Sequence, residues 1–242
     1  MKILANSILI ILFLVSVSFA QSVTITGQKK IYTRTKPIVG YKKSFTIRRP
    51  IAKAATLALS KKINALIDPV SVLEIDLKDE LTESQWLSEA DYQEVFNEQG
   101  ILTIMLWMEG SGAYSDGVTK YRVVDVAKGE RLSPAAVFID IPGLIATIRM
   151  KQDAEVEKAI KEIKADPEFP KDSDPKELFE ETKFETKDLD NFSVDRAGVA
   201  FFYDYGFPNA IKALEPDGEL RLSWVEIRPF IKRDGLLARF VR

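Results

Sequence analysis

The sequence contains no cysteine and no histidine. The first absence excludes disulfide staples, thiol nucleophiles, thiolate zinc sites and iron–sulfur clusters. The second excludes Ser-His-Asp and Cys-His constellations and imidazole metal ligands. Carboxylates, lysine, tyrosine and hydroxyls remain for catalysis, and no specific constellation of them stands out, so neither an enzyme nor a cofactor is expected. Glycine and proline are ordinary at 12 and 11 of 242 residues, which rules out collagen-like and low-complexity chains. At 46% hydrophobic and 29% charged, the chain has the make-up of a protein with a real core.

What is present begins with an address. Lys2 precedes a stretch from Ile3 to Val17 that is apolar apart from Asn6, Ser7 and Ser16. Ser18-Phe19-Ala20 then offers small residues at −3 and −1 of a cut before Gln21. This is the pattern of a secretory signal peptide over residues 1–20. An uncleaved anchor is the rival, because the run is only slightly short of the roughly 17–25 residues that span a bilayer. The expectation is an exported protein, periplasmic or extracellular, that meets a membrane only if the leader is uncleaved.

Charge is unevenly placed. Between Gln21 and Ile67 there are eleven Lys or Arg and no Asp or Glu, whereas from Asp68 onward 22 basic residues meet 36 acidic ones. A basic surface would suit anionic polymers, and an acidic one a cationic partner. The plainer reading is that folding sets the basic strands beside acidic ones and the field cancels. Lys42, Lys43, Arg48 and Arg49 are the candidate ligand-binding cations. Export argues against nucleic acid as a partner.

Periodicity alternates between strand and helix. Val23 and Ile25, then Tyr41, Phe45 and Ile47, occupy every second position, as half-buried strands do. After Pro50, the positions Ala55, Leu59, Ile63, Leu66 and Ile67 recur at helical spacing, and Asp68-Pro69 reads as the stop. Residues 70–85 fit strand or helix. Tyr92 to Asn97 and Ile101 to Trp107 read as a hairpin, Val118 to Val126 as a further strand, and Pro142-Gly143 as the opening of the longest helix. Residues 165–176 look like a solvated connection, followed by strands near 192–194, 199–203 and 220–224 and a last helical turn at 227–231. Hairpins outnumber strand-helix-strand units, which predicts an α+β fold with mainly antiparallel sheet. Two subdomains are expected, a basic one over 21–128 and a second over 129–242.

Short motifs are mostly explained by local structure. The segment from Gly110 to Gly117 is glycine-rich, and its amides could cradle an anion, yet it sits between strands and lacks Walker spacing. Ser173-Asp174-Pro175-Lys176 reads as a helix cap more readily than as an activated serine. Asp188-Leu189-Asp190-Asn191 lacks the glycine and distal glutamate of a calcium loop. Asn191-Phe192-Ser193 is formally a glycosylation acceptor that also suits a turn. Trp107, Tyr114, Tyr203, Tyr205, Phe207 and Trp224 could stack on sugars or fill a core.

The order Ile101-Leu102-Thr103-Ile104, Gly110-Ser111-Gly112-Ala113-Tyr114, then Val123-Val124 closing in Lys128-Gly129-Glu130-Arg131-Leu132, resembles a secreted bacterial domain family of unknown function. That family includes the ectodomain of the lysozyme-sensing anti-sigma-V factor and the N-terminal region of peptidoglycan deacetylases. Leu189 to Val194, Gly198 to Tyr203 and Leu222 to Phe230 resemble its closing strands and helix. Two positions depart from the pattern, since Tyr114 stands where the family has a loop histidine and Ser111 where it has the first of paired glycines. The resemblance implies an extracytoplasmic module that binds something at the envelope, with Gly110, Gly112 and Tyr114 as candidate loop contacts. The expected function is a non-catalytic binding module for peptidoglycan, an anionic glycopolymer or a muralytic enzyme such as lysozyme. The alternatives are a glycan-active hydrolase using paired carboxylates and a structural partner of another exported protein.

Overall fold

The computed structural model describes residues 22–111, 115–167, 169 and 172–241. The expected leader, 1–20, lies outside them. A six-stranded sheet takes its strands in chain order: β1 (Thr24–Thr33), β2 (Ser44–Lys53), β3 (Leu87–Glu98), β4 (Ile101–Ser111), β5 (Ser115–Asp125) and β6 (Glu130–Arg131). Neighbours run antiparallel except β2 and β3, which are parallel because α1 (Leu57–Leu66), α2 (Pro69–Val72) and α3 (Leu77–Thr82) lie between them. After α4 (Pro134–Val137) and the long α5 (Ile141–Ala165), a three-stranded antiparallel sheet follows: β7 (Phe192–Val194), β8 (Gly198–Phe202) and β9 (Glu219–Ser223). Helix α6 (Trp224–Ile227) continues directly from β9. The fold is α+β, with mainly antiparallel sheet.

Burial explains this arrangement. On one face of the large sheet, Phe45, Ile47, Leu102, Ile104, Leu106 and Val124 pack with Ile63, Ile67 and Leu73 of the helical connection. On the other, Ile101 and Val123 pack with Leu144 and Ile148 of α5 and with Phe192, Val199 and Phe201 of the small sheet. Within the large sheet β4 therefore has a core on each side, and the run from Ile101 to Met108, apolar apart from Thr103, records it. The hairpin turn Gln99-Gly100 has φ values of 51° and 77°, the type I′ geometry that matches strand twist.

Three local readings change. Pro50 lies inside β2 instead of preceding a helix. Strand β2 pairs with β3 only at Thr46 and Ile47, so Pro50 falls where the ladder to β3 has ended and a missing N–H is tolerated. Asp68-Pro69 starts α2 instead of only stopping α1, with proline at the first helical position where its absent donor costs nothing. The ambiguous 70–85 stretch is helical in two short pieces, and Asp76 caps the second by accepting from the Lys78 and Asp79 amides. Helix α5 buries Ile145, Ile148 and Ile163 as its stripe predicts, along with Gln152.

One cation of the basic segment is structural. Arg34 is buried, ion-paired to Glu80 at 3.2 Å, and donates to the carbonyls of Glu80, Lys42 and Leu87. Its guanidinium also lies 5.0 Å from the Phe45 ring centroid. Glu80 answers by accepting from the Leu87 amide at 2.7 Å, so the pair ties the β1–β2 connection to the start of β3. Replacing Arg34 with methionine would strand a buried carboxylate and three carbonyls. Denaturant unfolding of Arg34→Met is expected to show a loss of about 3–5 kcal/mol.

Candidate functional site

The structure does not gather the sequence-predicted cations into one face. Lys42 and Lys43 are exposed just before β2. Arg48 and Arg49 are successive strand residues and so point to opposite faces. Arg48 lies 3.7 Å from Asp91 and 5.3 Å from the Tyr92 ring centroid, while Arg49 pairs with Asp68 at 3.1 Å. With Arg34 paired internally, a share of the basic run is matched by acids from β3 and the helical connection.

The glycine-rich segment also divides. Gly110 is buried at the end of β4, and a Cβ there would meet the Trp86 ring at 2.2 Å and the Trp86 carbonyl at 2.6 Å. This glycine lets the indole lie on the strand. Gly112 and Tyr114 lie outside the described residues. Asp174, rather than Ser173, caps the next turn by accepting from the Lys176 amide. Asp188 and Glu185 form a reciprocal cap. Of the aromatics, Tyr205 and Phe207 are core, and Trp224 stacks on Phe240 with centroids 4.7 Å apart.

The residues that do come together are ones the sequence did not mark as a group. A groove of about 930 Å³ follows the open edge of β5, with the small sheet on one side and Glu74 of the helical connection on the other. Strand β5 is open there because β6 pairs only with Val124 and Asp125. From the large sheet it is lined by Tyr121, which faces the small sheet, and by Lys120, Arg122 and Arg131 on the opposite face; Lys187, Asp188, Asp190, Asn191, Phe202, Tyr203 and the turn ending at Glu219 line the rest. Asn191 closes one gap, its side-chain oxygen accepting from the Tyr121 amide at 2.9 Å. The formal glycosylation residue is thus a tether holding the two sheets in register. Tyr121 and Phe202 stack with centroids 3.9 Å apart and planes 8° from parallel, which builds an aromatic platform from both walls. Burial raises the Tyr121 phenol above its usual value, and Glu219 adds to the rise, so it stays neutral.

Charges in the groove are largely paired. Lys120 meets Glu74 at 2.9 Å, Arg131 meets Asp190 at 3.1 Å, and Lys212 meets Asp204 and Glu215 at 3.6 and 2.6 Å. Arg122 is the exception: among the described residues no carboxylate lies within ion-pair distance of it. Burial, then the neighbouring Arg131, lower its affinity for the proton. Among the described residues no group of three or more acidic side chains is placed to hold a metal ion.

A smaller cleft beside α5 contains Glu155, Glu162, Glu215 and Asp217. Glu155 accepts from the Tyr205 hydroxyl at 2.6 Å and the Gly218 amide at 3.2 Å, and Asp217 lies near enough to act on its charge. Burial raises its carboxyl above the ordinary glutamate value; the Tyr205 bond opposes this and Asp217 reinforces it.

A crystal structure of a DUF3298 family member from Bacteroides fragilis superposes with a TM-score of 0.50 over 91% of this chain and 97% of that one, at 14% identity. The chain shares that fold. A DUF3298 family protein from Pseudomonas aeruginosa gives a TM-score of 0.48 over 88% of this chain and 94% of its own, also at 14% identity. No protein-family model and no curated protein matches the chain. The domain to which it is similar in fold is one of unknown function.

Two outcomes test these assignments. Gly110→Ala is expected to cost about 1–3 kcal/mol through overpacking on Trp86, and Gly110→Ala with Trp86→Leu to recover part of it in denaturant unfolding. A carboxyl with a raised native pKa contributes stability that is fully present below the unfolded value and lost as pH rises through the native one. Glu155→Gln, which removes that titration, is therefore expected to match the parent in Tm near pH 4 and exceed it by a few degrees at pH 7. An equal difference at both pH values would refute the burial argument.

Proposed function

We propose that this chain is an exported, non-catalytic binding module of the cell envelope whose ligand is an extended glycan such as peptidoglycan or an anionic glycopolymer. The observation that carries the reading is the long open groove along β5, floored by the Tyr121–Phe202 stack and walled by polar groups. An elongated cleft with an aromatic platform and scattered hydrogen-bonding groups suits a chain of amphipathic sugar rings better than a compact metabolite. Export is supported by the leader pattern of residues 1–20.

The hydrolase alternative gains no support from the carboxylates. Glu155 is occupied by the Tyr205 hydroxyl and the Gly218 amide, and Asp217 by the Glu219 amide. The carboxylates lining the groove are engaged as ion pairs or caps, with Glu74 on Lys120, Asp190 on Arg131, Glu215 on Lys212, Glu219 on Arg221, and Asp217 on the Glu219 amide. A globular cationic partner such as lysozyme is a second ligand class, to be distinguished by the same assay.

Purified cell wall and immobilised lysozyme are to be offered to the protein at low and high salt. Retention on cell wall that survives high salt is expected, because stacking is not screened. Tyr121→Ala should weaken it about five- to tenfold, the worth of about 1 kcal/mol of ring contact. Retention on lysozyme alone, or none on either, refutes the glycan reading.

A further inference from the structure

We infer that Arg122 and Arg131 form an oxyanion seat in the β5 groove, which takes one carboxylate or phosphate group of the bound polymer. The inference rests on the groove being the ligand site and names the chemistry it selects. Register places the two arginines together. Val124 pairs with Arg131, so Arg131 shares a face of the sheet with Val124 and, one pleat back, with Arg122 as its diagonal neighbour. Like charges placed so repel, and Arg131 does act against the charge on Arg122.

The protein supplies a carboxylate to one of the two. Arg131 holds the Asp190 carboxylate at 3.1 Å and the Asp190 carbonyl at 2.9 Å through the same terminal nitrogen. Glu74, the acid on the other flank, is committed to Lys120 at 2.9 Å. Arg122 makes one hydrogen bond within the described residues, from Nη1 to the Tyr121 carbonyl at 3.0 Å. It is half-buried, so water compensates it only in part. A guanidinium held in a groove with a like neighbour and its forked donors mostly unspent has the chemistry that recognises a planar or tetrahedral oxyanion. Arg122 and Tyr121 turn to opposite faces of β5, and both line the groove where it wraps the open edge of the strand.

The test uses the isotopically labelled protein and follows the arginine Nε–Hε resonances while inorganic phosphate or acetate is added. Saturable shifts of the Arg122 and Arg131 resonances are expected, and the Arg131 shift should be lost in Arg122→Gln and weakened in Arg122→Lys, which keeps the charge but loses the fork. Response to both anions assigns the seat to carboxylates and phosphates alike, whereas response to phosphate alone assigns it to phosphate esters. No saturable shift with either anion, or an unchanged Arg131 response in Arg122→Gln, overturns the seat. A second titration compares a neutral N-acetylglucosamine tetramer with one bearing carboxylates. The wild type should favour the acidic tetramer about tenfold, the order of one charge-assisted pair, and Arg122→Gln should abolish the preference. Equal affinity for both tetramers overturns the seat and leaves the groove reading standing. An anion shift at Arg122 with no tetramer binding upholds the seat and overturns the groove reading.

Discussion

Burial of β4 on both faces is the constraint from which the rest of the architecture follows. Its residues Ile101, Leu102, Thr103, Ile104 and Leu106 are all fully buried, which obliges the chain to supply two separate covers. The helical connection supplies one with Ile63 and Ile67; α5 and the small sheet supply the other with Ile148, Phe192 and Phe201. Thr103 is the polar residue in this run, and its hydroxyl donates to the Val194 carbonyl at 2.9 Å. That buried bond fixes where β7 sits on the large sheet, because a slip would leave both partners unsatisfied.

The groove is a consequence of this docking. Strand β7 covers the large sheet where β4 needs it, held by the Thr103–Val194 bond. Asn191 then reaches the Tyr121 amide, and Tyr121 meets Phe202, so the edge is partly closed by side chains instead of another strand. A strand edge managed this way is protected from pairing with another chain and still accessible to a ligand.

Much of the fold was legible because it is written in local patterns. The β3–β4 hairpin, α5 with its stripe of Ile145, Ile148 and Ile163, and the strands at 192–194 and 199–202 follow from period and turn chemistry over a few residues. Helices α2 and α3 were not legible, since four or six residues do not complete a recognisable period and their stability comes from Pro69 at the first helical position, the Asp76 cap and packing. Pro50 misled for a related reason: a proline breaks a strand only where its N–H is wanted, and the end of β2–β3 pairing decides that. The candidate site was the least legible part. Asn191 and Tyr121 are 70 positions apart, and nothing near either residue announces the other.

By itself the sequence determined what chemistry is possible, because the absence of thiol and imidazole groups holds in any conformation, and it determined the strand and helix periods that make the fold α+β. It also determined that the first third of the chain is basic and the remainder acidic. Tertiary structure alone decided which charges cancel. Arg34 disappears into an ion pair with Glu80, Arg48 and Arg49 separate to opposite faces, and Arg122, unremarkable in sequence, is left beside Arg131 with no carboxylate in ion-pair distance among the described residues, Asp190 and Glu74 acting on it from farther off. The physical reason is that period and composition act over neighbouring residues, whereas the energy of a charge depends on burial and on partners that only chain folding brings within a few ångströms.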